Sequence, residues 1–263
     1  PGLIRAWSHS MTASSPVNPL TAKLATGGCV TCFMVTMPSV AMVQVLAASG
    51  VDALIVDMEH GPIDLATAHA MIAATTGTPA VPLVRVPWTE PWLAKPVLDA
   101  GAYGINFPMV STAALARETV RAVRYPPLGG RGWAPSYAPL RWGLPTEEYL
   151  RTADRELLNI VTIEEPAAIE ALDEILAVPG IDVVVIASFD LSMAMGRPGK
   201  FDDPELKRLV AGAEARIRAS GLPMGGVALT AEAAEAKRAA GYRLLLVGFD
   251  VLMVEAVARQ ALP

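Results

Sequence analysis

Residues 159–190 read NIVTIEEPAAIEALDEILAVPGIDVVVIASFD. The runs Asn159 to Ile163 and Asp182 to Ile186 are short and rich in Val and Ile, which marks buried parallel strands with a helical crossover between them. An acid stands in a matching place after each run: Glu164 directly beyond the first, Asp190 a few residues beyond the second. Ligands of α/β sheets and barrels gather beyond the C-terminal ends of their strands, so both acids should face one cleft. Two hard oxygen donors with no histidine beside them suit Mg²⁺, Mn²⁺ or Co²⁺ better than a structural zinc.

The same unit recurs along the chain. Strands are predicted at Cys32–Thr36, Ala53–Asp57, Val81–Val86, Gly104–Phe107, Asn159–Ile163, Val183–Ile186, Pro223–Ala228 and Leu244–Val247. Ser39, Asp64, Ser111 and Asp203-Pro204 open helices at Val40, Leu65, Thr112 and Glu205, and glycines 50, 101, 180, 221 and 241 end helices just before the following strand. Strand and helix alternating in this way predict a (β/α)₈ TIM barrel, with a doubly wound open sheet as the alternative.

The 263 residues, 52% of them apolar, can bury one barrel-sized core. Residues 1–18 are expected to be a tail, with Pro1–Ser10 a cloning remnant ahead of Met11, and 19–263 a single barrel domain. A net charge of -5 with scattered Lys and Arg carries no footprint for nucleic acid. The mean hydropathy of +0.40 comes from many short runs, none near membrane-span length. With no signal-peptide pattern, and with Cys29 and Cys32 as the only cysteines, a reducing cytoplasm is the expected compartment. The Cys-Val-Thr-Cys spacing has no partner pair, so both cysteines are read as small residues entering the first strand.

His60 follows the second strand in Val56-Asp57-Met58-Glu59-His60-Gly61, and Arg85 ends the third. Both should meet the mouth that holds Glu164 and Asp190. His60 is the one imidazole placed for proton transfer, since His9 lies in the tail and His69 in a helix. Asp57 and Glu59 are read as surface acids, supporting acids, or partners of Arg85. The five lysines fall in helices or loops, which removes a Schiff-base lysine on a strand, and no acyl-transfer elbow, zinc-peptidase helix or nucleotide loop is present. Metal-assisted formation of an enolate from a 2-oxo acid is the chemistry these residues fit. The long segment Tyr125–Pro145 breaks the rhythm; its Gly129-Gly130-Arg131-Gly132 either approaches substrate or a neighbouring subunit, or belongs to a surface loop stitched by Trp133 and Trp142.

Over about Leu20 to Ala261 the chain resembles the HpcH/HpaI aldolase family. The resemblance rests on Val56 to Gly61, Leu83-Val84-Arg85, Leu98-Asp99-Ala100-Gly101-Ala102, Arg124-Tyr125-Pro126-Pro127 with Gly129 to Gly132, Ile163-Glu164, Asp190-Leu191-Ser192 and Val247-Gly248-Phe249-Asp250. It implies a class II aldolase in which Glu164 and Asp190 ligate a divalent metal that chelates pyruvate or a related 2-oxo acid. It further implies that His60, oriented by Asp99 in a His-Asp dyad, moves the proton and that Arg85 holds the keto oxygen as it becomes an enolate, which adds to an aldehyde or is released in cleavage. Backbone amides at Ser188, Phe189 and Asp190 would receive the substrate carboxylate. The family commonly has Gln where Thr162 stands and Gly-Pro at Ala187-Ser188, so the oxo-acid pocket should differ from one for plain pyruvate. The resemblance also implies a homo-oligomer, trimer or hexamer, with a C-terminal helix over Val251–Gln260 exchanged between subunits.

Two other readings stay open: a lyase of the same superfamily acting on a decarboxylating or thioester-linked substrate, motivated by Ala187-Ser188-Phe189, and a non-catalytic barrel capturing anions at Gly225-Gly226 and Gly248.

Overall fold

A computed structural model describes residues 18–262; the expected cloning remnant lies outside them. Eight parallel strands follow one another around a closed barrel: β1 (Val30–Val35), β2 (Ala53–Asp57), β3 (Val81–Arg85), β4 (Gly104–Phe107), β5 (Leu158–Ile163), β6 (Val183–Ile186), β7 (Met224–Val227) and β8 (Tyr242–Phe249), with β8 pairing back to β1. The barrel is thus the one expected, and the open sheet is excluded. The helices in order are α1 (Pro19–Ala25), α2 (Val40–Ala47), α3 (Leu65–Ala74), α4 (Pro91–Asp99), α5 (Ala113–Val123), α6 (Ala138–Trp142), α7 (Thr146–Glu156), α8 (Pro166–Glu170), α9 (Leu172–Leu176), α10 (Ser188–Ala194), α11 (Pro204–Ser220), α12 (Ala231–Ala239) and α13 (Asp250–Gln260).

Ser39, Asp64 and Asp203 accept amide hydrogen bonds at the starts of α2, α3 and α11, as their positions predict. The start of α5 differs by one residue, because the hydroxyl of Thr112 and not that of Ser111 caps it, accepting from Leu115 N–H. Asn18, expected in the tail, is fully buried: its amide caps α1 and donates to the Glu156 carbonyl at 2.7 Å.

Alternation along the strands builds two cores. Val30, Cys32, Ala53, Ile55, Val81, Leu83, Leu158 and Ile160 fill the barrel interior, while Val35, Leu54, Val84, Val161, Ile163 and Ile186 face the helices. Each fully buried aliphatic side chain contributes about 1.5–3 kcal/mol of transfer free energy. Cys32 is one of the interior residues, and both cysteines are free. Successive inward positions climb toward the C-terminal mouth, so in β5 the face that carries Leu158 and Ile160 ends in Thr162 and Glu164, and in β3 the face of Val81 and Leu83 ends in Arg85. A single period of two therefore places apolar residues at the base and chemistry at the rim.

The 125–145 segment folds back on the base of the barrel. Trp142 stacks on Tyr103 with centroids 4.3 Å apart and donates to the Gly101 carbonyl at 3.2 Å, whereas Trp133 is half exposed and touches Tyr125 only at a tilted 5.9 Å. Arg131 is buried, pairs with Asp99 at 2.6 Å and lies 4.6 Å over the Tyr125 ring. In this chain the stitch is made by Trp142 and Arg131, and the segment does not enter the C-terminal mouth. Among the described residues no helix is long and apolar enough to cross a membrane.

Candidate active site

The C-terminal mouth opens into a cavity of about 680 Å³ whose wall includes His60, Arg85, Asn106, Thr162, Glu164 and Asp190. One side of it is built on Asp57, which is fully buried. The Asp57 carboxylate accepts from Arg85 Nε at 2.8 Å and Nη2 at 2.6 Å, the two-pronged geometry in which guanidinium and carboxylate fix each other's planes. It also accepts from the amide of Glu59 at 3.1 Å and that of His60 at 3.4 Å, which shapes the turn after β2. Gly61 completes that turn, since a Cβ there would lie 2.5 Å from the Asp57 carbonyl oxygen and 2.7 Å from that of Thr36. Burial works against the Arg85 charge, but Asp57, Glu59 and Glu164 outweigh it and hold the guanidinium more firmly protonated than usual.

His60 stands out from this frame with its side chain 66% exposed, and Glu59 Oε2 lies 3.7 Å from its Nε2. The same oxygen is 3.2 Å from Arg85 Nε yet out of line with the N–H, so it remains a buried carboxylate oxygen without a hydrogen-bond partner. Burial raises the Glu59 pKa, Asp57 and Asp190 add to the rise, and Arg85 and His60 oppose it.

Glu164 is 6% exposed, and its Oε2 accepts the Met109 amide at 3.3 Å. Apart from glycines, Met109 is the one described residue in the left-handed region, at φ 54, a conformation costing roughly 1–3 kcal/mol that persists where its surroundings demand it. Burial first, then the charges of Glu59 and Asp190, push the Glu164 carboxyl up to about 7 from an ordinary 4.5, against the pull of Met109 N–H and Arg85. Asp190 sits exposed in the first turn of α10, a helix with no side-chain cap, so the amides of Ser188, Phe189 and Asp190 lack intrahelical acceptors. Thr162 donates its hydroxyl to Asn106 Oδ1 at 2.7 Å on the floor of the cavity.

The residues present fit a divalent cation. A carboxyl driven to about 7 by burial first and by neighbouring negative charge second, together with a buried carboxylate oxygen with no donor, describes a site that a cation would relieve. Among the described residues no three His, Cys, Asp or Glu side chains form a ready ligand cluster, so an ion at Glu164 and Asp190 would complete its shell with water and substrate oxygens, as hard cations commonly do.

Within one chain Asp99 does not stand beside His60. It ends α4 at the base of the barrel, whereas His60 follows β2 at the mouth, because every crossover helix returns the chain to the face where the next strand begins. Within one chain the acid beside His60 is Glu59, and Asp99 is committed to Arg131. Of the glycines read as possible anion sites Gly226 lines the cavity, and a side chain fits at none of the three: a Cβ on Gly225 would meet Val185 at 2.8 Å, one on Gly226 the Tyr242 ring at 2.6 Å, and one on Gly248 the Met253 sulfur at 2.9 Å. Asn106, Met109, Phe201 and Leu229 belong to the mouth without having been singled out from sequence. Of these only Asn106 had a signal, being the polar residue between Ile105 and Phe107 in an otherwise apolar strand.

Comparison with known proteins follows the same lines. A family model described as HpcH/HpaI aldolase/citrate lyase matches residues 31–256. The chain is 42% identical over 219 residues, 83% of its length and 85% of the other protein's, to a hydroxypyruvate/pyruvate aldolase of Roseovarius nubinhibens. It is 38% identical over 214 residues, 81% of its length and 79% of the other's, to a 2-keto-3-deoxy-L-rhamnonate aldolase of Escherichia coli. The crystal structure of an HpcH/HpaI aldolase/citrate lyase family protein from Burkholderia cenocepacia superposes with a TM-score of 0.85 at 32% identity, covering 93% of this chain and 97% of that one.

Proposed function

The chain belongs to the HpcH/HpaI aldolase/citrate lyase family and is a carbon–carbon lyase of the class II aldolase type, and from that premise we propose how its mouth divides the work between a 2-oxo acid and an aldehyde. The names of the relatives, which include pyruvate, hydroxypyruvate and a 2-keto-3-deoxy sugar acid, support pyruvate or a close derivative as the nucleophile.

Glu164 and Asp190 would hold a divalent ion of the Mg²⁺, Mn²⁺ or Co²⁺ kind, and the observation that carries this is that both carboxylates line one cavity beside the buried, unpartnered Glu59 oxygen, with burial and then the charges of Glu59 and Asp190 raising the Glu164 carboxyl. Such an ion supplies Lewis acidity toward the ketone of the 2-oxo acid. Arg85, immobilised by Asp57, presents its remaining N–H donors to the keto oxygen as negative charge develops there, and because the pair is already aligned little reorganisation accompanies the reaction. The first-turn amides of α10 receive the substrate carboxylate, and Thr162 with Asn106 lines the floor beneath the oxo acid.

In cleavage the bond between C3 and C4 breaks, its electron pair passes into the enolate, and the C4 hydroxyl loses its proton. His60 takes that proton, directly or through one water, and the exposed imidazole can exchange it with solvent while Glu59 steadies its charged form. A proton returned to C3, from His60 directly or through the same water, turns the enolate into the 2-oxo acid, and addition runs these steps in reverse, beginning with loss of a methyl proton.

The chain assembles as a homo-oligomer, trimer or hexamer. Support comes from α13, where Asp250 is fixed to the Thr36 and Met37 amides at 3.0 and 2.8 Å while Val251, Leu252, Val254 and Val257 remain 41%, 48%, 44% and 67% exposed, an apolar face suited to exchange with a second copy. The compartment proposed is the cytoplasm.

Proton NMR of pyruvate in D₂O tests the reading. Methyl protons should exchange with no aldehyde present when Mn²⁺ or Mg²⁺ is supplied, and EDTA should stop the exchange. Exchange at full rate in EDTA, or none under any metal, contradicts it.

A further inference from the structure

We infer that the acceptor side of this mouth selects aldehydes with an apolar chain over aldehydes bearing a carboxylate or several hydroxyls, an inference that rests on the aldolase reading. The cavity is divided by strand. The β2 to β5 side carries His60, Arg85, Asn106, Thr162 and Glu164, whereas the rim above β6 and β7 carries Phe189, Phe201, Val227 and Leu229. These four are 55%, 52%, 37% and 52% exposed, and the two phenyl rings lie 6.0 Å apart, tilted by 52°. A cluster of large apolar side chains left open to water and continuous with a reaction site gains from any ligand chain that covers it.

Volume points the same way. A cavity of about 680 Å³ is of the size that takes drug-sized ligands, so a three-carbon oxo acid leaves most of it free for the acceptor.

Charge excludes the alternatives. Arg85 is committed to Asp57 and lies against Glu59. The other ammonium or guanidinium group on the cavity wall, Lys237, lies 4.2 Å over the Tyr242 ring, near the end of α12 that descends to the base of the barrel, and feels the charge of Glu214. The charge of Arg85 is matched by Asp57, and the cation proposed for Glu164 and Asp190 is matched by those carboxylates and the oxo acid, so among the described residues of the cavity wall a second carboxylate on the acceptor would find no unmatched positive charge at the β6–β7 rim. A polyhydroxylated acceptor fares no better, since the four rim side chains offer no hydrogen-bond donor, and its hydroxyls would lose water without replacement.

The test is a comparison of kcat/KM for hexanal, succinate semialdehyde, D-glyceraldehyde and glycolaldehyde at saturating pyruvate and Mn²⁺, with pyruvate methyl exchange recorded alongside. Hexanal should exceed succinate semialdehyde and D-glyceraldehyde by about tenfold or more, the scale of discrimination that apolar contacts supply. Leu229→Arg and Phe201→Arg should each lower the hexanal value and raise that for succinate semialdehyde. Preference for the charged or hydroxylated acceptor overturns the inference. Indifference to acceptor polarity also overturns it. Absence of both exchange and condensation with every aldehyde strikes at the aldolase reading itself and removes this inference with it.

Discussion

Arg85 and Asp57 meet through two parallel hydrogen bonds of 2.8 and 2.6 Å, with Asp57 fully buried at the end of β2 and Arg85 beside it at the end of β3. Their register in the barrel, Asp57 paired with Arg85, sets the two side chains on the same inward face and at the same height. The guanidinium is therefore aimed before substrate arrives, and its charge is balanced by a partner that touches no solvent.

Replacing Arg85 with Lys keeps a charge but loses the fork. A point-charge ammonium cannot match both Asp57 oxygens while facing the ligand. The expected result is a fall in kcat of about 10²–10³, the size of loss when one donor to a developing oxyanion is removed. Steady-state kinetics of retro-aldol cleavage measure it, and a change confined to KM would make Arg85 a binding residue only.

Asp57→Ala leaves Arg85 without its buried counter-charge, a change that costs about 3–5 kcal/mol when one partner of a buried pair is removed. Chemical denaturation should show the loss as a lower midpoint.

The raised Glu164 carboxyl predicts a pH dependence with a definite sign. In the metal-free protein Glu164 keeps its proton to about 7, whereas in the unfolded chain it ionises near 4.5. Between those values the folded state binds more protons, so its contribution makes stability fall as pH rises from about 4.5 to about 7. A divalent ion needs the ionised carboxylate, so Mn²⁺ affinity should tighten across the same interval and flatten above it. Thermal melts and Mn²⁺ titrations from pH 5 to 8, repeated on Glu164→Gln, check both trends; an unchanged slope in the variant would move the effect to another group.

On α13, Val254→Asp with Val257→Asp places two charges on an apolar face that the chain leaves uncovered. Light scattering should report a smaller assembly than the unaltered protein forms. An unchanged mass would place the subunit contact elsewhere.

Much of this was legible in the chain itself. The runs Leu158 to Ile163 and Val183 to Ile186 are buried on both faces, which is why their composition alone announces parallel strands, and caps such as Ser39, Asp64 and Asp203 act through a local bond that depends on little beyond their neighbours. Glu164, Asp190, His60 and Arg85 reach one mouth because each follows or ends a strand, and strand ends share a face of the barrel. Asp99 ends a helix just before β4 and so lies at the base, apart from His60 within one chain, a placement that motif resemblance, which carries no coordinates, does not convey. The left-handed Met109 and the unsatisfied Glu59 oxygen had no local signal, since both arise only when distant strands bring Glu164 and Arg85 against them.

The shared cation is tested most directly by anomalous diffraction from crystals soaked in Mn²⁺ with a 2-oxo acid. The expected result is a single manganese peak about 2.0–2.6 Å from a carboxylate oxygen of Glu164 and from one of Asp190, the range for hard cations on oxygen. Manganese bound elsewhere, or held by only one of these two carboxylates, would contradict the assignment.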